Sequence, residues 1–331
     1  MSTTLPATMQ AVGISAPGAP EVLKPVTRPL PHPQAHEVLI EVAATGINGP
    51  DIMQRKGLYP APAGASDLPG LEVSGHVVAR GTAVTRWNVG DAVVALTNGG
   101  GYAEYVAVHG EHCLRAPAGI SLHDAAGLPE TFFTVWSNVF IGAGLKAGET
   151  FLVHGGAGGI GTTCIQLGKA FGAKVIATDS PAARCQVCKD LGADLVIDYK
   201  AEDFVEAVRA EGGANVILDI VGGANIEKNL KAASHDARII QLAFAAGSKV
   251  EINLMPVMLK RLTYTGSTLR TRPDAFKARI ARELEAQVWP LIESGKIRVV
   301  THRMLPLAEA AAGHALMESS QHTGKILLKV R

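Results

Sequence analysis

The sequence predicts an α/β protein of two domains, one mainly β and one built on a doubly wound parallel sheet. Three observations carry this. Residues 38–108 hold short β-branched runs separated by Gly, Pro and Asn, with few helix-length patterns between them. After residue 122 the rhythm changes to alternating apolar strands and helices. At 331 residues the chain has room for two domains of roughly 150 residues each.

In chain order, 38–42, 73–78, 92–96 and 102–108 read as strands of the first domain. In the second, strands at 151–154, 174–178, 195–198, 216–220 and 238–242 alternate with helices at 162–171, 182–191, 203–210 and 225–233. Uniformly apolar strands separated by helices imply a parallel sheet with right-handed crossovers. The last sixty or so residues break that alternation: 273–294 reads as one long helix, and 297–300 and 325–330 as strands that return to the first domain. The expected boundaries are therefore 1–130 completed by 273–331, and 131–272.

Composition excludes several classes of function. Thirty-one Lys and Arg against 30 Asp and Glu leave a net charge of +1, so no basic footprint for nucleic acid or an anionic membrane is expected. Residues 1–10 carry no basic start or apolar run, which makes the cytoplasm the expected compartment. The uncharged stretch 150–168 is interrupted by glycines and His154 and reads as joined elements rather than a membrane span. Four scattered cysteines fit a reducing compartment, and Cys185 and Cys188 read as packing residues of one helix. Hydrolase and P-loop motifs are absent.

The strand at 151–154 runs into Gly156-Ala157-Gly158-Gly159-Ile160-Gly161 and then into a helix, which is G-x-G-x-x-G in its required context. Gly156 permits the tight turn, Gly158 admits a pyrophosphate, and Gly161 lets helix and strand pack closely. Amides at the helix N-terminus, including those of Gly159 and Ile160, would bind the phosphates. Asp179 ends the next strand, where an acid that accepts from ribose hydroxyls belongs. These features define a Rossmann unit.

A Rossmann unit preceded by a β domain and followed by a return segment resembles the medium-chain dehydrogenase/reductase superfamily. Gly148-Glu149, Leu152, residues 155–161, Gln166 and Lys169 fall at the spacings of its quinone oxidoreductase and zeta-crystallin branch. So do Gly46-Ile47-Asn48, residues 55–60, 70–75 and 99–105, and Gly324-Lys325. The resemblance implies a GroES-like catalytic domain beside the Rossmann domain. Zinc-dependent members place Cys after a Gly-Ile pair and His in Gly-His-Glu; here those positions are Asn48 and Leu71, so no metal is expected.

The resemblance further implies hydride transfer from NADPH, with NADH the alternative, to a small-molecule quinone or, as the near alternative, an enone. Such acceptors delocalise the incoming charge, so the protein chiefly positions the reactants. A non-catalytic cofactor-binding protein is the reading from another class. Asn48 would hydrogen-bond the acceptor oxygen or the carboxamide, and Tyr59 would cover the acceptor. Thr134, Phe244, Ser267, Thr268 and Leu269 match positions near the nicotinamide. Arg184 and Tyr199 match residues that hold the 2′-phosphate of NADPH, with Arg184 offsetting an Asp179 turned to solvent. A homodimer is expected through 262–269.

Overall fold

The computed structural model describes residues 5–331, which fall into two compact units: one formed up to Phe133 and from Arg270 to Arg331, the other Thr134–Leu269. The first unit opens with β1 (Thr8–Ile14) paired antiparallel to β2 (Leu23–Pro29). Its main sheet contains β3 (Glu37–Gly46), β4 (Glu72–Arg80), β5 (Ala92–Leu96), β6 (Tyr105–His109) and β7 (Cys113–Arg115). Val38, Ile40, Val42, Val73, Val77, Val93, Val106 and Val108 fill one core, as expected for β-branched residues on a pleated, buried face. Close pairing of β3 with β4 requires Gly75, because a Cβ there would stand 2.0 Å from the Glu41 carbonyl oxygen. The strand expected from 102 starts at Tyr105; Tyr102 instead donates its amide to the Pro69 carbonyl and accepts from the Val12 amide.

The first domain also contains a helix, Gly49–Arg55, that the strand pattern hides. Its start is nonetheless encoded: Asn48 and Asp51 form a reciprocal capping box, with Pro50 in the first turn.

In the second unit β8 (Thr150–His154), β9 (Lys174–Asp179), β10 (Leu195–Asp198), β11 (Ala214–Asp219), β12 (Ala233–Gln241) and β13 (Thr263–Gly266) form one parallel sheet in the order β10-β9-β8-β11-β12-β13. Strand order reverses between β8 and β11, so the carboxyl end of β8 is the switch point at which doubly wound sheets bind ligands. Leu152, Ile176, Ile217 and Ile239 are fully buried in that sheet. The edge strand β13 is an addition to the predicted set.

The chain then returns to the first unit. The helix expected over 273–294 is two, Asp274–Gln287 and Trp289–Glu293. Pro290 has no N–H to continue the ladder and forces a restart. The strand expected at 297–300 lies further on, as β14 (Thr301–Pro306), because Ile297 is tied back by its amide to Leu291. β14 and β15 (Lys325–Lys329) extend the main sheet beside β3. Among the described residues no helix is long and apolar enough to cross a membrane.

Candidate functional site

In the first unit, polar side chains collect where β3 and β4 meet the helix Gly49–Arg55. Glu72 and Asp51 are completely buried, and Asn48 and Lys325 almost so. Lys325 Nζ lies 2.6 Å from Glu72 Oε1 and donates to Asn48 Oδ1 at 2.5 Å, while Asn48 Nδ2 donates to Glu72 Oε1 at 2.9 Å. The orientation of the Asn48 amide follows from these partners, since its oxygen faces a cation and its nitrogen a carboxylate. Glu72 Oε2 accepts the Glu130 amide, and Asp51 accepts the amides of Asn48 and Gly70. Burial pushes the Asp51 carboxyl up to about 6 against the pull of those two amides and Lys325.

Two groups beside this cluster retain unused capacity. Tyr59, half-buried, has the Arg270 guanidinium 5.6 Å from its ring centre. Arg270 is 6% exposed and spends Nε and Nη2 on the Asn98 carbonyl, leaving the buried Nη1 without a partner among the described residues. Burial raises the Tyr59 hydroxyl, with Arg270 opposing that rise. Glu130, in the first turn of the helix Pro129–Val135, is pushed up to about 8 by burial, then by the neighbouring Glu72 and Asp51. Its carboxyl makes no hydrogen bond among the described residues.

Behind Asp51 the polar contacts continue to the surface. Tyr102 stands between the Asp51 carboxyl and His314, with Tyr102 Oη 2.9 Å from His314 Nε2. Arg55 Nη1 reaches His314 Nδ1 at 3.4 Å, and Arg55 Nη2 pairs with Glu318. Because Arg55 can only donate, His314 accepts at Nδ1 and donates from Nε2. A cavity of about 410 Å³ lined by Pro17, Arg55, Lys56 and Glu318 opens over that pair, with its charged groups already matched to one another.

In the second unit the glycine loop follows β8. A Cβ on Gly161 would stand 2.2 Å from the Gly155 carbonyl oxygen and 2.5 Å from Gly156 Cα, so the turn closes only with glycine. At Gly158 a Cβ would meet only that same oxygen, at 3.4 Å, and the cradle there is open. The first bond of the helix Gly159–Ala170 is Thr162 N–H to Gly158 O, which leaves the amides of Gly159, Ile160 and Gly161 at the free N-terminus. These residues fit the pyrophosphate of a dinucleotide.

Asp179 is 3% exposed rather than turned to solvent. It accepts the Ala157 amide at 2.7 Å, the Ser180 amide at 2.8 Å, and Arg184 Nε and Nη2 at 2.7 and 3.2 Å. Four donors draw the carboxylate inward, and in doing so it fixes the glycine loop. Tyr199 is joined to the same place by its amide, 3.4 Å from the Asp179 carbonyl, with its ring 53% exposed. Phe244 is exposed past β12. Ser267 and Thr268 are exposed and Leu269 buried past β13. Thr134 is half-buried near the end of its helix, its carbonyl accepting from Ser137 and Asn138.

Asp51, Glu130, Arg270 and Lys325 join the predicted residues. The capping pattern from Asn48 to Asp51 signalled one of them; the others meet through long-range packing that no local pattern reports.

A Rossmann sheet with a glycine loop at its switch point, together with a separate β unit carrying buried polar chemistry, defines a dinucleotide-dependent oxidoreductase of the medium-chain class. Residues 34–118 match the model of the alcohol dehydrogenase GroES-like domain, and residues 159–286 that of the zinc-binding dehydrogenase domain. The chain is 31% identical to a quinone oxidoreductase of Lama guanicoe over 98% of each. It superposes on Escherichia coli quinone oxidoreductase complexed with NADPH with a TM-score of 0.86 at 29% identity, covering 98% of this chain and 100% of that one. The CurK enoyl reductase superposes with a TM-score of 0.85 at 26% identity, over 98% and 100%. The chain belongs to the quinone oxidoreductase branch of the medium-chain dehydrogenase/reductase superfamily.

Proposed function

We propose that this oxidoreductase uses NADPH to reduce quinones by hydride transfer without a metal, with enones as the second acceptor class. The observation that carries the metal-free reading is the Lys325 ammonium, 2.6 Å from Glu72. A cation already occupies the carboxylate, Asn48 and Leu71 offer no soft ligand, and a catalytic zinc needs three N, S or O ligands and an open position. The donor set does not fit that ion. Without a Lewis acid, a simple alcohol or ketone lacks its electrophile, whereas a quinone or enone delocalises the charge it receives.

Bound nicotinamide supplies the hydride. Gly158 and the helix amides that follow it hold the phosphates, and Thr134, Phe244 and residues 267–269 border the nicotinamide end. Pairing with Arg184 neutralises the Asp179 charge that would otherwise repel a 2′-phosphate, and this favours NADPH over NADH. Tyr59 covers the acceptor. Asn48, with one amide hydrogen beyond its bond to Glu72, orients the acceptor oxygen or the carboxamide. The enoyl reductase likeness supports the enone alternative. A homodimer forms through 262–269, where the edge strand Thr263–Gly266 is exposed and Tyr264 is 40% accessible.

The test is steady-state turnover of NADPH and NADH against a panel of quinones and enones, before and after chelation. Quinone reduction that survives chelation is expected. Activity lost with the metal and restored by zinc overturns the reading.

A further inference from the structure

We propose that Glu130 is the proton donor of the reduction, delivering a proton from its carboxyl to the anion that the acceptor becomes. The inference deepens the function proposed above and rests on it.

Reduction of a quinone or enone by hydride needs one proton to finish. Three carboxyl groups stand near the acceptor-side cluster, and two are committed. Asp51 accepts the amides of Asn48 and Gly70 and faces the Tyr102 hydroxyl. Glu72 accepts from Asn48 and the Glu130 amide and carries Lys325. Glu130 is different. Its backbone is pinned by the 2.8 Å bond from its amide to Glu72 Oε2, while its carboxyl makes no hydrogen bond among the described residues. The residue is neither fully buried nor exposed, so its head can reach a ligand while still being poorly hydrated.

The surrounding charges agree. Glu72 and Asp51 oppose ionisation of Glu130, Lys325 and Arg270 favour it, and burial outweighs them all. Tyr59 and Lys277 feel its charge as well, so the carboxyl shares its surroundings with the tyrosine assigned to the acceptor. The result is a carboxylic acid that keeps its proton to about pH 8. In the step itself the acceptor takes two electrons and a hydrogen as hydride while the nicotinamide is oxidised. The Glu130 O–H bond then breaks as a bond from the proton to the acceptor anion forms. The carboxylate left behind recovers a proton from water.

Glu130→Gln should lower kcat about 100-fold with quinone or enone, leave the KM for NADPH within about twofold, and remove the fall in kcat above about pH 8 that is expected of the wild type. Glu130→Asp, which keeps the acid one methylene short, should recover part of the rate and the alkaline limb. A Glu130→Gln enzyme with near wild-type kcat and the same alkaline limb overturns the inference and leaves the proposed reductase intact. Infrared difference spectra test it without turnover. The wild type should show a protonated carboxylic acid at pH 7 that Glu130→Gln lacks, and absence of that band overturns the proposal even if no acceptor is reduced.

Discussion

The glycine loop and the buried polar cluster of the first unit distribute their hydrogen-bonding capacity in opposite ways. At the glycine loop the side-chain acid is spent: Asp179 takes four donors, one of them the Ala157 amide inside the loop, and the amides at the head of the following helix are what remains for a ligand. In the first unit the backbone is spent. The amides of Asn48, Gly70 and Glu130 are held by Asp51 and Glu72, and what remains among the described residues is side-chain capacity, including the Glu130 carboxyl, Arg270 Nη1 and the second Asn48 amide hydrogen. Backbone amides bind any phosphate chain of the right shape, and they suit a cofactor shared across a superfamily. Side chains can be changed one at a time, which suits a site that sets substrate choice.

Lys325 is the residue whose loss costs the first unit most. Removing it as Lys325→Met leaves the completely buried Glu72 without its cation, and loss of one member of a buried pair costs about 3–5 kcal/mol. Urea unfolding should report a loss of that size. The double variant Lys325→Met/Glu72→Gln should recover much of it, because no unpaired charge is then buried. Equal stability of the two variants would mean that the lysine acts through packing alone.

A smaller effect lies in the contacts behind Asp51. Burial, reinforced by the Arg55 charge, lowers the His314 imidazole from 6.5 to about 3, against the pull of Glu318. The unfolded chain therefore binds a proton at His314 that the folded chain refuses. This contribution is fully present above pH 6.5 and is lost as pH falls toward 3, by about 2 kcal/mol at pH 5. His112, lowered to about 4 chiefly by burial, acts in the same direction, so the measurement must be a difference. His314→Gln keeps a side chain able to accept from Arg55 and donate to Tyr102. Between pH 7 and pH 5 it should lose about 2 kcal/mol less than the wild type in chemical denaturation. Parallel pH profiles would remove His314 from the acid response.

The glycine loop was legible in the sequence and the buried polar cluster of the first unit only in part, for one physical reason. A glycine loop is a local device: Gly156, Gly158 and Gly161 perform their roles within six residues, so spacing alone reports them. Strand and helix periodicity is local too, and it located five of the six strands of the parallel sheet. The buried polar cluster of the first unit is assembled across the chain, with Lys325 meeting Glu72 from β15 and Arg270 reaching Asn98. Among those residues only Asp51 had a local signature, the capping box begun at Asn48. The single helix read over 273–294 failed because apolar spacing continues through Val288 and Trp289 while Pro290 interrupts the hydrogen bonds. Asp179 is turned inward rather than to solvent because its four donors come from the loop, the next residue and Arg184 acting together, a convergence that spacing does not report.

A still smaller change is expected at the glycine loop, where Arg184 pairs with Asp179. With Arg184 in place, the Asp179 carboxylate is neutralised and its lone pairs are occupied, so it neither repels a 2′-phosphate strongly nor accepts from a ribose hydroxyl. Arg184→Ala reverses both conditions. The acid keeps the Ala157 and Ser180 amides, which hold the loop, but it regains a net charge and two free acceptor positions. Two like charges about 8 Å apart near a protein surface repel by roughly 2 kcal/mol, and salt reduces this further. The ratio of kcat/KM for NADPH to that for NADH should therefore fall about tenfold. NADPH should lose affinity and NADH gain it, with kcat at saturation little altered because the hydride chemistry lies elsewhere. Equal losses for the two cofactors would show that Arg184 serves only to hold Asp179 and the loop, and that the 2′-phosphate is read by other residues.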